Sequence, residues 1–319
     1  MEPRKLIKLG NSSYAIALPK DWVDKSGLKK GDSVYILPNS NGELIIAPRY
    51  HENNRNKVKK IDLVNLDKTS AVHELRSAYV QDNDILEIKG ITKENKDTVK
   101  KVLQEMIGFE IIESHEGQMV LKDFFNIQEA QLENFLRKID NSIRSMFEDM
   151  TSNLQKNPLK EKDVSEMYET DTEINKFYIL ITRIFFRSMD NPSILNTLKV
   201  NSKNLFDYWW IAFHLEHIAD EIKRLTKIMK TSEIKKNKVS LVFEACSSVK
   251  ENYAECLNSY YKHGVTSAKA SLNMTRALWE NLVTSAQAEN GVLREIIMKL
   301  SSINRSIYEV DKILVYGLA

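Results

Sequence analysis

Carboxylates set on apolar helical stripes are the residues of this sequence best suited to chemistry. Met167, Asp171, Ile174, Tyr178, Ile181 and Phe185 follow one another at steps of four and three. That spacing puts an aspartate on the buried seam of a helix. A buried carboxylate is costly unless it is paired or bound to a metal. Glu216 and Asp220 stand four residues apart, so they neighbour each other on one helical face beside the stripe Leu215, Ile218, Ile222, Leu225, Met229. Two helices presenting Asp171, Glu216 and Asp220 to each other would form an all-oxygen cation site, which suits Mg, Ca or Mn. The same spacing also describes a Glu/Asp pair on a solvated face, with Asp171 paired to a Lys or Arg. Spacing alone leaves both open.

Other chemistry is hard to find. Cys246 and Cys256 lie on the stripe Val242, Cys246, Val249, Tyr253, Cys256, Tyr260 and read as buried structural thiols. Two cysteines without a CxxC exclude a disulfide framework and a Cys-rich zinc site. The six histidines show no HExxH, and no Ser/His/Asp arrangement or Gly-rich phosphate loop is present. No general acid, base or nucleophile accompanies the three carboxylates, so a metal-dependent enzyme is set aside and no catalytic residue is assigned. A second cluster is basic: Arg4, Lys5, Lys8, Lys20, Lys25, Lys29 and Lys30. Such a cluster can bind phosphates. Surface lysines also protect the edges of any small β domain, and charge alone does not separate the two.

The elements that must carry these residues differ along the chain. Among 319 residues there are 10 Gly and 6 Pro, well under the usual shares of about 7% and about 5%. Four of the glycines and three of the prolines fall within the first 42 residues. The shortage therefore belongs to the remainder, which should be mostly helical. The formal net charge of +2 divides in the same way, into +6 for residues 1–60 and −4 for residues 61–319.

The basic head reads as β-β-α-β-β. Four short runs rich in β-branched and aromatic residues (RKLIKLG, SYAIALP, SVYILP, ELIIAP) have strand length. Pro19 and Gly27 bracket a short helix, and Asn41-Gly42 suits a tight hairpin. About 50 residues bury little apolar surface alone, a deficit that dimerisation would remove. Residues 51–60 read as a polar linker. A small α/β module over 61–123 follows: a strand at Ile61–Val64, helices at Thr69–Val80 and Glu94–Met106, a strand at Asp84–Lys89, and a hairpin turning at Glu116-Gly117. Six helices are predicted beyond it, over 127–156, 162–190, 203–230, 236–262, 265–289 and 291–316, as two three-helix bundles. The stripe Leu300, Ile303, Ile307, Val310, Leu314 marks the last of them. Leu215–Asp220 parallels Leu300–Arg305 at an offset of 85, a weak internal repeat.

The head resembles the AbrB/MazE/SpoVT swapped-hairpin DNA-binding domain. The likeness rests on Lys5-Leu6-Ile7-Lys8-Leu9-Gly10-Asn11-Ser12, Leu18-Pro19, Trp22-Val23 and Gly27-Leu28-Lys29-Lys30-Gly31-Asp32. It implies an intertwined homodimer in which Lys5, Lys8, Asn11 and Ser12 face DNA, joined by Arg4 on charge. Ala17 stands where MazE-type antitoxins often carry Arg. The helical body resembles the PhoU family of phosphate-uptake regulators. Here the likeness rests on the acidic segment Glu169–Arg183 and on Leu215-Glu216-His217-Ile218-Ala219-Asp220. Some members use the latter motif to bind metal clusters, so the resemblance implies a divalent or trivalent metal ion at Asp171, Glu216 and Asp220. Ser301 and Arg305 replace the Glu and Asp in the second repeat, which limits the expectation to one metal site, in the first bundle.

The resulting expectation is a multidomain chain. An AbrB-like head spans 1–50 and a linker 51–60. The α/β module covers 61–123, and PhoU-like repeats cover 124–232 and 233–319. The expected role is a homodimeric DNA-binding regulator of phosphate homeostasis, with DNA and a second copy as partners and phosphate-transporter components or a signalling protein as further candidates. The alternative is a non-DNA-binding adaptor whose head only dimerises. No run of about 18 apolar residues occurs and MEPRKLIKLG has no signal-peptide core, so the expected location is the cytoplasm.

Overall fold

The structure is a computed structural model, and it describes residues 3–38, 42–48, 57–154, 161–191, 193–232 and 234–318. The chain divides into two compact units, Met1–Arg55 and Asn56–Ala319.

The first unit consists of two separate hairpins around a short helix. Strand β1 (Ile7–Leu9) pairs antiparallel with β2 (Ser13–Ala15), matching Lys8 with Tyr14. Gly10 opens the three-residue loop at φ +67°, a backbone conformation that glycine adopts without strain. Helix α1 (Lys20–Lys25) starts after Pro19 and ends before Gly27, as the flanking residues predict. Strand β3 (Tyr35–Pro38) pairs antiparallel with β4 (Leu44–Ala47). Asn41, half of the predicted turn, lies outside the described residues, while Gly42 has the expected positive φ of 79°. The strands are shorter than their apolar runs.

The second unit begins with a four-stranded sheet in the order β5-β6-β8-β7. Strand β5 (Val58–Asp62) runs parallel to β6 (Ile85–Lys89), and helix α2 (Lys68–Val80) makes the crossover between them. Helix α3 (Lys96–Glu105) leads to the hairpin of β7 (Phe109–His115) and β8 (Gln118–Asp123). The first strand starts three residues before the predicted Ile61, inside the stretch read as linker, because Val58, Lys59 and Lys60 pair with Ile85, Leu86 and Glu87. Asp67 caps α2 by accepting from the Thr69 and Ser70 amides. Ile61, Leu86, Ile88 and Leu121 of the sheet pack with Leu75, Tyr79, Val99 and Val102 of the two helices. Gly90, at φ +77°, lets the backbone pass so close to Val64 that an added Cβ would lie 2.6 Å from the Val64 amide nitrogen.

The helical body comprises α4 (Leu132–Leu154), α5 (Glu161–Asp190), α6 (Ser193–Leu198), α7 (Ser202–Thr231), α8 (Val239–Tyr261), α9 (Val265–Ala288) and α10 (Gly291–Leu318). The six long helices match the periodic segments. Short α6 lies in what the sequence left as a connection. A 3-10 turn at Ile127–Glu129, followed by extended Ala130, delays α4 by five residues relative to the prediction. The two three-helix sets do not keep separate interiors. One continuous core runs from Ile127 through Ile218 and Cys256 to Leu314, with α7 packed on α10 and α4 on α8. His217 Nε2 of α7 lies 3.4 Å from Ser302 Oγ of α10, so residues at the repeat offset of 85 meet at the helix crossing. Helix α5 is also shared, since its Ile179 joins the core of the α/β module. No helix among the described residues is long and apolar enough to cross a membrane.

Candidate functional site

In the first unit, none of the described residues is buried. Side chains that a folded domain normally hides stand in solvent: Leu6 is 70% exposed, Tyr14 66% and Leu44 65%, with Ile7, Leu9, Ile16, Tyr35 and Ile36 also exposed. Strand alternation separates two faces of the first hairpin. Ile7, Leu9 and Ala15 share one, and Lys8 and Tyr14 share the other. Arg4, Lys5, Lys8, Asn11 and Ser12 are all exposed, before β1, within it, or at the hairpin tip. The tip is held by the Ser13 hydroxyl, which donates to the Leu9 carbonyl at 2.8 Å.

The carboxylate site lies where α5 faces α7. Asp171 is buried on the α5 stripe, as its spacing predicts, and Asn175 one turn on donates to its Oδ2 at 3.3 Å. Glu216 and Asp220 follow on α7, both half-buried. The three do not gather into a ligand set. Among the described residues no three Asp, Glu, His or Cys side chains are placed to hold a metal ion. A lysine occupies the central place instead: Lys223 Nζ donates to Asp171 Oδ2 and to Asp220 Oδ1, each at 2.6 Å. Its ammonium also lies 5.6 Å from the ring centroid of Tyr168. Arg224 takes the other Asp220 oxygen at 3.0 Å and Glu221 at 2.5 Å, and Lys299 of α10 reaches Glu221 at 2.9 Å. Asp171, Asp220 and Glu221 are thus joined with Lys223, Arg224 and Lys299 in a chain of ion pairs across the helices. Of the two readings left open by spacing, Asp171 follows the paired one.

Electrostatics agree with this arrangement. Burial opposes the Lys223 charge, but its hydrogen bonds to Asp171 and Asp220 outweigh burial and hold its pKa above the usual value. Among the described residues no such donor meets Glu216. Burial, and then the charges of Asp220 and Asp171, push its carboxyl up to about 7. In the second repeat, Arg305 stacks against Trp279 and Tyr308 and pairs with Glu309 at 2.7 Å. Sequence reasoning missed Lys223, although its place three residues after Asp220 is the spacing of an intrahelical pair.

It also missed the role of Arg183, the last residue of the acidic segment. This side chain is 2% exposed. It donates to Asp123 Oδ2 at 2.6 Å and to the Asn83 carbonyl at 3.3 Å, and lies 3.6 Å from Asp82. Its guanidinium packs over the rings of Tyr79 and Phe109. The α/β module, whose role the sequence did not reveal, is thereby fastened to the central helix of the body. Both cysteines are buried, and burial alone pushes the Cys246 thiol up to about 12, in keeping with inert structural thiols.

Comparison with known families gives two matches. The family described as antidote-toxin recognition MazE, bacterial antitoxin, matches residues 7–53, and the PhoU domain matches residues 136–229. Comparison with curated proteins and with solved structures yields no match. The second match takes in α5 and nearly all of α7 and stops before the second three-helix set, where the acidic motif has degenerated. Both are regulatory rather than enzymatic families. The chain thus joins an N-terminal MazE/AbrB-like antitoxin domain to a PhoU domain in its helical body.

Proposed function

We propose that this chain is a DNA-binding transcriptional regulator of phosphate uptake and homeostasis that acts as a homodimer. One observation carries the reading: the N-terminal unit is folded into hairpins, yet none of its described residues is fully buried, and large apolar side chains stand exposed beside the basic ones. Burial of apolar surface is worth roughly 25 cal/mol per Å², so exposed Leu6, Ile7, Leu9 and Leu44 favour pairing with a second copy. Two copies then bring together Arg4, Lys5, Lys8, Asn11 and Ser12 from both hairpins. Their chemistry suits phosphate oxygens and sugars, which position a protein on DNA without reading its sequence. The PhoU domain supplies the link to phosphate, as sensor or docking body. An open cleft of about 1150 Å³ beside α3, α4 and α5, lined in part by Lys101, Glu105, Tyr168, Glu173 and Lys176, offers room for a small effector.

A second reading, an adaptor that binds no DNA, is favoured by a different surface. Phe186, Phe206 and Phe213 are exposed around half-buried Trp209 and Trp210 on α5 and α7. Aromatic clusters of this kind are typical of protein interfaces. Gel shifts with promoter DNA across a salt series separate the readings. Three cationic groups per chain give six in a dimer, so log affinity should fall with log salt at a slope on the order of −5. Lys5→Glu with Lys8→Glu should abolish binding while light scattering still reports a dimer. No shift at low salt supports the adaptor.

A further inference from the structure

We infer that Lys223 is the resident cation of the α5–α7 site: its tethered ammonium takes the place of a metal ion, and the helical body holds its carboxylates together without one. The argument is geometric. Asp171 comes from α5 and Asp220 from α7, and a single ammonium lies within hydrogen-bond distance of both. Lysine carries three donors and no acceptor, so it cannot itself ligate a metal. Carboxylate oxygens bind divalent ions at about 2.0–2.6 Å. A metal on Asp171 Oδ2 and Asp220 Oδ1 would therefore stand against the Lys223 nitrogen, and the two cations exclude each other.

The surroundings are built for the amine. Tyr168 turns its ring towards the ammonium, and Asn175 shares the Asp171 oxygen with it. Arg224 occupies the second oxygen of Asp220, which a metal would need for bidentate binding. What the ammonium provides is charge neutralisation between Asp171 and Asp220, whose negative charges also act on Glu216. Removing it should restore an acidic pocket of the kind that takes hard cations.

Manganese binding by the full-length protein tests this, with Mn²⁺ as the probe read by electron paramagnetic resonance and by metal analysis after gel filtration. Wild type should retain no stoichiometric Mn²⁺, and its melting temperature should not move with added Mn²⁺ or with chelator. Lys223→Met should melt at a lower temperature and recover on adding Mn²⁺, with affinity at least tenfold tighter than wild type. Lys223→Arg keeps a charge in the site and should behave as wild type, which serves if the methionine variant does not fold. One Mn²⁺ per wild-type chain, lost on Asp171→Asn, would overturn the inference. So would a folded Lys223→Met that binds no more Mn²⁺ than wild type.

Discussion

Replacing Arg183 with methionine should damage this protein more than any surface substitution. The side chain is 2% exposed, and its charge is met by half-buried Asp123 at 2.6 Å and by buried Asp82 at 3.6 Å. Asp82 keeps a second partner, Arg187, at 3.4 Å. Asp123 also accepts from the Phe125 amide at 3.0 Å but has no second ion pair among the described residues, so its charge becomes the orphan. Removing one member of a buried pair costs roughly 3–5 kcal/mol, because a charge is left behind in a poorly solvated place. Methionine preserves much of the volume against Tyr79 and Phe109, which confines the loss to electrostatics and to ring contacts worth about 1 kcal/mol. Urea unfolding of the full chain, followed by far-ultraviolet circular dichroism, measures the difference. Adding Asp123→Asn removes the orphaned charge. The double variant should recover part of the loss, with a coupling energy of about 2 kcal/mol between the sites. A loss below about 1 kcal/mol for Arg183→Met, or strict additivity in the double variant, would refute the view that this guanidinium fastens the α/β module to α5.

Three further outcomes are expected. Glu216 has its folded pKa raised from 4.5 to about 7, so the folded state holds its proton more tightly than the unfolded one. Its contribution to stability is complete below about pH 4.5 and is lost as pH rises through 7, on the order of 3 kcal/mol in all. Glu216→Gln should flatten that part of the stability profile, matching wild type at pH 4.5 and exceeding it at pH 8.5, and parallel profiles would refute the shift. Leu44→Asp places a charge on a side chain that is 65% exposed in the single chain, so a monomeric protein would tolerate it within about 0.5 kcal/mol. For the proposed dimer it should give monomers by light scattering with an unchanged melting transition of the helical body. Thr275→Val removes the hydroxyl that donates at 2.8 Å to fully buried Asp311. It should cost about 1–3 kcal/mol in urea unfolding, and a neutral result would mean that another donor takes over.

The sequence by itself determined the elements and their division. Helical periodicity from Leu132 to Leu314, the Pro19 and Gly27 boundaries of α1 and the Glu116-Gly117 turn are local signals, read from neighbours within one or two turns of chain. The uneven charge was equally legible, because counting needs no structure: +6 in the first 60 residues against −4 in the rest. The burial of Asp171, Cys246 and Cys256 also followed from stripes along single helices.

What the chain does with those side chains was decided only when helices crossed. Asp171 and Lys223 are 52 residues apart, Arg183 and Asp123 are 60 apart, and His217 and Ser302 are 85 apart. Periodicity names the face on which each lies but not the residue opposite, since the partner depends on the rotation and register of two packed helices. Hence the Lys223 amine that pairs with both Asp171 and Asp220 came into view only in three dimensions. In the same way, two sets of three helices became one interior because α7 and α10 meet where the repeat brings its equivalent residues together.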